Sequence, residues 1–215
     1  MPRARSSKRW LSRQARDPYV RQARSGGWRA RSAFKLMEID RRWRLLRRGM
    51  HVVDLGAAPG GWSQVAAQRV GSEGRVLAVD LIAMDPLPGV TCMRGDVTNP
   101  ETVAAIEAWI AEQGAGAVDL VLCDMAPNLS GIRATDQARA LELAAHVREL
   151  AARWLAPSGA LVIKLFEGEG SRQWRRLAGE RFARVEVTKP EASRRRSREM
   201  YGVCISPRGF SGGPP

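Results

Sequence analysis

Short apolar runs alternate with amphipathic stretches along most of the chain. The runs have the length and β-branched content of buried strands, and they predict strands over residues 51–55, 75–81, 90–93, 118–124, 160–166, 184–189 and 200–205. Between them, helical spacing of apolar positions predicts helices over residues 62–70, 100–112, 134–155 and 171–180. Strands separated by helices indicate βαβ crossovers, so we expect an α/β fold whose mostly parallel sheet has helices on both faces.

The N-terminal part of the chain lacks this alternation. Residues 18–48 predict one or two short helices, and residues 1–17 predict a flexible basic arm. The Arg- and Ser-rich composition of this arm also fits an organellar transit peptide. We therefore expect a basic N-terminal segment over residues 1–48, a domain over 49–206 and a flexible tail over 207–215.

Composition argues against several classes of protein. The 215 residues contain no apolar run of 18, so a transmembrane protein is not expected. Cys92, Cys123 and Cys204 are odd in number and far apart, which disfavours a disulfide framework or a CxxC metal site. The two histidines, His51 and His146, are also far apart, so no metal site is expected.

Positive charge is concentrated at two places in the chain. The formal net charge is +13, and it divides into +13 over residues 1–48, −7 over 49–170 and +7 over 171–198. Two basic segments around an acidic body suit a protein that holds the backbone of RNA or DNA beside an ordinary domain. The alternative is that the arginines only keep the protein soluble.

Lysine is rare among the basic residues. The chain has 35 basic side chains, of which only four are Lys. Lys164 follows the apolar run 160–163, and Lys35 lies between apolar neighbours. A buried Lys can lose its proton whereas Arg cannot, so these positions are candidates for chemistry. A lysine whose stem is buried and whose ammonium reaches water is the structural alternative.

Acidic residues follow successive predicted strands. The glycine-rich loop 54–61 follows the first strand, and Asp80 and Asp96 follow the second and third. The loop matches neither GxGxxG nor the phosphate-binding loop of nucleotide triphosphatases. An Asp after the second strand can accept hydrogen bonds from both ribose hydroxyls of a nucleoside. Because the expected pocket is acidic, whereas phosphates need hydrogen-bond donors, we expect a nucleoside cofactor without a pyrophosphate. For each Asp alone, capping of a helix is the alternative.

Asp124 follows the fourth predicted strand, and Lys164 lies in the fifth. If these strands are neighbours, the two side chains meet above the sheet. Such a pair is either a structural ion pair or an acid–base pair that holds a substrate hydroxyl, and the sequence leaves both open.

Five segments together resemble the FtsJ/RrmJ family of ribosomal RNA ribose 2′-O-methyltransferases. They are YVRQARSGGWRARSAFKLMEID (19–40), DLGAAPGGWSQ (54–64), DMAPNLSG (124–131), KLFEGEG (164–170) and SRRRSREMY (193–201). The similarity extends in order from about Trp10 to Ile205. It implies the Rossmann-like fold of S-adenosylmethionine-dependent methyltransferases, with a seven-stranded sheet whose last strand is antiparallel.

The resemblance also implies which residues form the site. The implied catalytic set is Lys35, Asp124, Lys164 and Glu199, and the implied cofactor contacts are Gly60, Trp62, Asp80, Asp96 and Asp124. Two positions depart from the family pattern: Glu167 stands where Gln is common, and Gly202 where a β-branched residue is usual. Neither belongs to the implied catalytic set.

The implied reaction is transfer of the methyl group of S-adenosyl-L-methionine to a ribose 2′-hydroxyl. The short chain favours a uridine of large-subunit ribosomal RNA as the target, with tRNA or an mRNA cap as alternatives. A non-catalytic ribosome-assembly protein is the alternative from another class, and a methyltransferase of small molecules or proteins is a further one. We expect a cytoplasmic monomer without membrane contact, or a mitochondrial protein if the arm is a transit peptide. Free RNA and the assembled large subunit both remain possible substrates.

The basic residues predict where RNA binds. Residues 1–48 and the run 194–198 are expected to hold RNA phosphates on either side of the site, and such contacts carry little sequence information. Trp10, Trp28 and Trp43 could stack on bases, although packing is the commoner use of tryptophan.

Overall fold

A computed structural model describes residues 17–114, 116–127, 130–194 and 196–208. The predictions for residues 1–16, including the basic arm and Trp10, and for most of the tail lie outside the described residues. Among the described residues, no helix combines the length and the apolar character needed to cross a bilayer.

Helices and strands alternate after two N-terminal helices. The helices are α1 (Pro18–Ser25), α2 (Ala33–Trp43), α3 (Gly61–Val70), α4 (Pro100–Glu112), α5 (Arg133–Trp154) and α6 (Glu169–Arg181). The strands are β1 (His51–Leu55), β2 (Arg75–Asp80), β3 (Val90–Arg94), β4 (Val118–Cys123), β5 (Leu155–Phe166), β6 (Phe182–Thr188) and β7 (Glu199–Pro207). Each predicted strand and helix is present, and the bounds mostly differ from the prediction by one or two residues.

The strands form one seven-stranded sheet in the order β3-β2-β1-β4-β5-β7-β6. The pairs β1–β2, β1–β4, β2–β3 and β4–β5 are parallel. Strand β7 is antiparallel to both β5 and β6. The expected α/β fold with an antiparallel last strand is therefore confirmed.

Two apolar clusters cover the two faces of the sheet. One contains side chains of α4, α5 and α6, such as Ile106, Val147 and Trp174. The other contains Leu36 of α2 and Trp62 of α3. Helix α2 lies within the basic N-terminal segment, so part of that segment belongs to the core and holds Lys35 against the sheet.

One strand begins earlier than its sequence predicts. Strand β5 starts at Leu155, directly after α5, although residues 157–159 predict a break and a start at Ala160. Leu155 is fully buried and pairs with Val118, and the register shifts between this pair and the next. Because Leu155 is buried and paired, the strand begins before the Pro-Ser-Gly segment. The pairing of β5 with β4 is irregular at this segment.

Candidate active site

A cleft of about 310 Å³ opens where the carboxyl ends of β1, β2, β3 and β4 meet. Gly56, Asp80, Asp96 and Asp124 line it, and each follows or ends a different strand. Three of the five predicted cofactor contacts therefore share one cleft. This convergence follows from the parallel topology, which brings the ends of neighbouring strands to the same edge.

The Asp80 carboxylate fixes the backbone around the cleft. Its Oδ2 accepts a hydrogen bond from the Ala58 N–H at 2.9 Å, and its Oδ1 accepts one from the Ile82 N–H at 2.9 Å. One carboxylate thus joins the glycine-rich loop to the loop after β2. Its remaining lone pairs are available to a ligand, since a carboxylate can accept about four hydrogen bonds.

Asp96 is held by the residue two positions later in the chain. Its Oδ1 accepts hydrogen bonds from the Thr98 N–H at 2.9 Å and the Thr98 hydroxyl at 2.7 Å. These two bonds lower the pKa of Asp96 and keep it charged. Helix α4 is capped by Asn99, whose side chain accepts from the Glu101 N–H, so Asp96 is not its cap.

Two predicted cofactor contacts, Gly60 and Trp62, lie outside the lining of the cleft. Gly60 has φ +105°, and a Cβ added there would lie 2.8 Å from Leu87 Cδ1 and 3.2 Å from the Arg29 side chain. Gly60 therefore permits a close approach of protein side chains. The Trp62 ring is buried, and its Nε1 donates a hydrogen bond to the Ser32 carbonyl at 2.8 Å.

Arg29 joins the loops on two sides of the cleft, a role that sequence reasoning missed. Its Nη1 donates to the Asp85 carbonyl at 2.7 Å and to the Pro59 carbonyl at 3.3 Å. Its Nη2 donates to the Pro86 carbonyl at 2.7 Å. The Gln64 side chain holds the same segment, since it accepts from the Arg29 N–H and donates to the Gly27 carbonyl. The segment that leads into α2 is thereby attached to the two loops beside the cleft.

Asp54 lies fully buried beneath the cleft. Its Oδ2 accepts a hydrogen bond from the Ser63 hydroxyl at 2.6 Å, whereas Oδ1 has no hydrogen-bond partner among the described residues. Burial raises the pKa of Asp54 to about 7, and the nearby Asp124 and Asp80 carboxylates add to the increase. In the folded protein, Asp54 therefore keeps its proton at a pH where an exposed Asp is ionised.

We expect Asp54 to make stability fall as pH rises from about 4 to about 7. In this window the folded protein holds a proton on Asp54 that the unfolded chain has released. Asp54→Asn cannot ionise, so its urea-unfolding free energy should depend less on pH across the window. Glu112→Gln, an exposed substitution, serves as the control and should keep the slope of the unmodified protein. An unchanged slope in Asp54→Asn would contradict the buried proton.

Beside the cleft, five polar side chains form one hydrogen-bonded cluster, which we call the lysine–tyrosine cluster. Lys164 Nζ lies 2.9 Å from Asp124 Oδ1 and donates to the Asp124 carbonyl at 2.6 Å. The Tyr201 hydroxyl donates to Asp124 Oδ1 at 2.7 Å and accepts from Lys35 Nζ at 3.1 Å. Lys35 Nζ also donates to Glu199 Oε2 at 3.0 Å. All four predicted catalytic residues therefore meet, and Tyr201 connects one lysine–carboxylate pair to the other.

The strand register explains why these residues meet. Cys123, the last residue of β4, pairs with Ile163, so Asp124 lies beside Lys164 as predicted. Lys164 in turn pairs with Tyr201 of β7. Glu199 precedes Tyr201 by two positions, and side chains two apart in a strand share a face. This alternation is the sequence signal that could have identified Tyr201.

Burial and charge fix the protonation states of two members of the cluster. Burial and the adjacent Asp124 carboxylate raise the pKa of Tyr201 far above its ordinary value, so its hydroxyl keeps its proton. Burial alone would also raise the pKa of Glu199, but the Lys35 ammonium and its hydrogen bond outweigh this and lower it. The cluster thus holds a charged Glu199 beside a neutral Tyr201.

Described parts of the two basic segments of the sequence contact each other. Asp17 contacts both Arg31, at 3.2 Å, and Arg194, at 3.3 Å. The Glu38 carboxylate accepts hydrogen bonds from the Glu191 and Ala192 N–H groups at 2.6 and 3.1 Å. Among the described residues, the N-terminal segment therefore lies against residues 191–194. Trp28 and Trp43 are partly buried against the α2–α3 face, in line with the packing alternative.

Comparison with known proteins gives matches over almost the whole chain. A family model described as FtsJ-like methyltransferase matches residues 28–206. A protein of Azoarcus sp. named Ribosomal RNA large subunit methyltransferase E is 52% identical over 94% of this chain and 97% of its own length. A protein of Pseudomonas aeruginosa with the same name is 48% identical over 99% of this chain and 100% of its own length. A crystal structure of a Plasmodium falciparum protein described as a ribosomal RNA methyltransferase aligns with a TM-score of 0.76 and 25% identity, over 85% of this chain and 100% of that one.

Proposed function

The chain belongs to the FtsJ-like methyltransferase family, and we propose that it methylates the 2′-hydroxyl of a uridine ribose in large-subunit ribosomal RNA. One observation carries this proposal. Asp124 lines the acidic cleft and at the same time contacts Lys164 and Tyr201 of the lysine–tyrosine cluster. A cofactor bound in this cleft would therefore be adjacent to the groups that would handle a hydroxyl.

The chemistry of the cleft suits S-adenosyl-L-methionine. Carboxylates of Asp80, Asp96 and Asp124 line it, which disfavours a pyrophosphate and favours a cofactor with a sulfonium and an ammonium group. Asp80 would accept hydrogen bonds from the ribose hydroxyls of the cofactor. We assign Gly60 and Trp62 an indirect part in cofactor binding, through the loop and helix that they position. When bound, the cofactor supplies an electrophilic methyl group.

In the mechanism that we propose, the lysine–tyrosine cluster prepares the 2′-hydroxyl. Lys164 orients this hydroxyl and, after it has released one of its own protons to solvent, accepts the hydroxyl proton as a neutral amine, while the cation of Lys35 lowers the pKa of the hydroxyl. Asp124 and Glu199 hold the Lys164 and Lys35 side chains in place. Tyr201 stays protonated and fixes the distance between Asp124 and Lys35. Holding the oxygen in line with the methyl group supplies a large further part of the rate.

The charge distribution supports different roles for three parts of the chain. The basic segment 1–48 and the run 194–198 would hold the RNA backbone, the domain 49–206 would bind cofactor and catalyse transfer, and 207–215 would be a tail. The similar proteins from Azoarcus and Pseudomonas favour the cytoplasm over an organelle. We propose that the protein acts there as a monomer on large-subunit RNA.

Methyl transfer to purified RNA tests the function directly. The protein is incubated with methyl-labelled S-adenosylmethionine and either undermethylated large subunits, naked ribosomal RNA or tRNA, and the modified ribose is then mapped. We expect one labelled 2′-O-methyluridine in large-subunit RNA. Label in tRNA alone would assign a different substrate, and binding of RNA without any transfer would favour the assembly protein.

Arg29→Ala should weaken S-adenosylmethionine binding about tenfold, because it removes charged hydrogen bonds that join the cofactor loops. The rate at saturating cofactor should change by less than about twofold, since Arg29 is outside the lysine–tyrosine cluster. Calorimetric titration and steady-state kinetics measure the two quantities. Arg24→Ala, an exposed arginine of α1, is the matched control. Equal affinity in both variants would show that the loops hold their positions without Arg29.

A further inference from the structure

A second cavity of about 300 Å³ lies between the C-terminal half of α2 and the connection from β6 to β7. It is nearly as large as the cofactor cleft. Its lining includes Arg41, Arg42 and Trp43 on one side and Lys189 on the other. Its described lining shares no residue with the cofactor cleft and contains none of the proposed catalytic residues.

The α2 wall of this cavity leads directly to the lysine–tyrosine cluster. Lys35 and Arg42 are seven residues apart in one helix, so they lie on the same face at a separation of about 10 Å along the axis. Glu38 lies between them on that face. A strand of RNA with its target ribose at Lys35 would therefore bring a neighbouring nucleotide to Arg42.

The opposite wall leads to the same cluster. Lys189 Nζ donates a hydrogen bond to the Ser197 carbonyl at 2.7 Å. The Ser197 hydroxyl accepts one from the Glu199 N–H at 3.2 Å, and Glu199 pairs with Lys35. Glu38 joins the two walls through its hydrogen bonds to the backbone of Glu191 and Ala192. Both walls of the cavity are thus attached to the residues proposed to act on the ribose.

The side chains in the cavity suit a nucleotide. The Arg42 guanidinium lies over the Trp43 ring, 4.5 Å from its centroid, and this pair offers planar surface for stacking by a base. Arg41, Arg42 and Lys189 supply cations for a phosphate, and Glu191, which also lines the cavity, can accept from a base amino group. The Glu38 carboxylate is already engaged with backbone N–H groups, so it opposes an anion less than a free carboxylate would.

We propose that this cavity is a second nucleotide subsite, which binds a nucleotide of the same single strand next to the methylated ribose. The inference rests on the proposed function, because it takes RNA as the substrate and Lys35 as a marker of the target. It makes the proposed substrate more specific, since it requires the target to lie in an unpaired segment of the ribosomal RNA. The subsite would give the partly buried Trp43 ring a second role beside its packing against the core.

A pair of double variants with equal charge tests the subsite. Arg41→Ala/Arg42→Ala removes two cations from the cavity, and Arg175→Ala/Arg176→Ala removes two exposed cations of α6, outside both stretches proposed to hold RNA. We expect the first to raise the KM for undermethylated large subunits by at least about tenfold, with kcat and cofactor affinity changed by less than about twofold. We expect the control to raise KM by less than about threefold.

Direct binding separates failure of the subsite from failure of the proposed function. A fluorescent single-stranded RNA decamer is titrated at several salt concentrations, with no cofactor present. The slope of log affinity against log salt should decrease by roughly 0.7 for each phosphate that the Arg41→Ala/Arg42→Ala protein no longer binds. Trp43→Phe should keep most of the affinity for the decamer, because phenylalanine retains a stacking face. Trp43→Ser has no such face, so its affinity for the decamer should be clearly lower.

Each outcome decides one of the two claims. If RNA binding weakened equally in the two double variants, the cavity would contribute only a general attraction of phosphates. This result would overturn the subsite. Unmodified protein that binds no decamer would also overturn it. Unmodified protein that binds the decamer but transfers no methyl group to any RNA would refute the proposed reaction, and the binding comparison would still judge the subsite.

Discussion

Lys164→Met is expected to lower the rate of methyl transfer by about three orders of magnitude, because it removes both the proposed base and the group that orients the hydroxyl. Methionine keeps much of the stem volume but has no ammonium. S-adenosylmethionine affinity should change by no more than a few-fold, since the substitution leaves Asp80 and Asp96, the other two carboxylates of the cleft, unchanged. Single-turnover rates with saturating RNA and cofactor isolate this step from binding.

Loss of Lys164 also leaves the Asp124 carboxylate with one strong partner fewer. Breaking such a partly buried pair costs up to about 3 kcal/mol of stability, so urea unfolding must accompany the kinetics. Lys164→Arg keeps a cation near Asp124 but cannot give up its proton. An equally inactive Lys164→Arg would support a base, and intermediate activity would support orientation alone. A folded Lys164→Arg with full activity would exclude Lys164 as a base.

The periodicity of the sequence was sufficient to predict the sheet and most of its helices. Parallel topology then brings strand ends together, so Asp80, Asp96 and Asp124 converge without further information. The antiparallel last strand was expected only from the family resemblance, because a run of apolar residues carries no direction. The predicted start of β5 was wrong for a physical reason, because burial of Leu155 outweighed the local turn preference of residues 157–159.

The lysine–tyrosine cluster shows which contacts a sequence pattern can predict. Asp124 and Lys164 follow from neighbouring strands, so their proximity was predictable from the fold. The contact of Lys35 with Glu199 joins residues 164 positions apart, and α2 packs by side-chain complementarity that no local pattern contains. Only the resemblance identified that pair.

Arg29 and Tyr201 were missed for different reasons. Arg29 is one of many arginines in a basic segment, and its bonds go to backbone carbonyls, which any residue type provides. Tyr201 lies in an apolar strand and is fully buried, so its ring looks like core. Its ring indeed packs beside Trp62, with centroids 5.5 Å apart. The hydroxyl at the other end is what belongs to the site.

Tyr201→Phe should therefore keep the fold and lose the connection between the two lysine–carboxylate pairs. The ring would still pack against Trp62, but Asp124 would lose a donor at 2.7 Å and Lys35 an acceptor at 3.1 Å. Removing one member of a buried network costs about 1–3 kcal/mol of stability. We expect the single-turnover rate of methyl transfer to fall about a hundredfold, because Lys35 and Asp124 would no longer be held at fixed positions around the hydroxyl.

The chain contains a matched control for this prediction. Its other tyrosine, Tyr19, packs against Phe34 at 5.6 Å between ring centroids and takes no part in the hydrogen bonds described for the lysine–tyrosine cluster. Tyr19→Phe makes the same chemical change and should leave the rate within about twofold. A Tyr201→Phe protein that matches this control in rate would reduce Tyr201 to a packing residue. A slow Tyr201→Phe protein with unaltered cofactor affinity would instead place the loss in the chemical step, because a collapsed core would weaken the adjoining cleft as well.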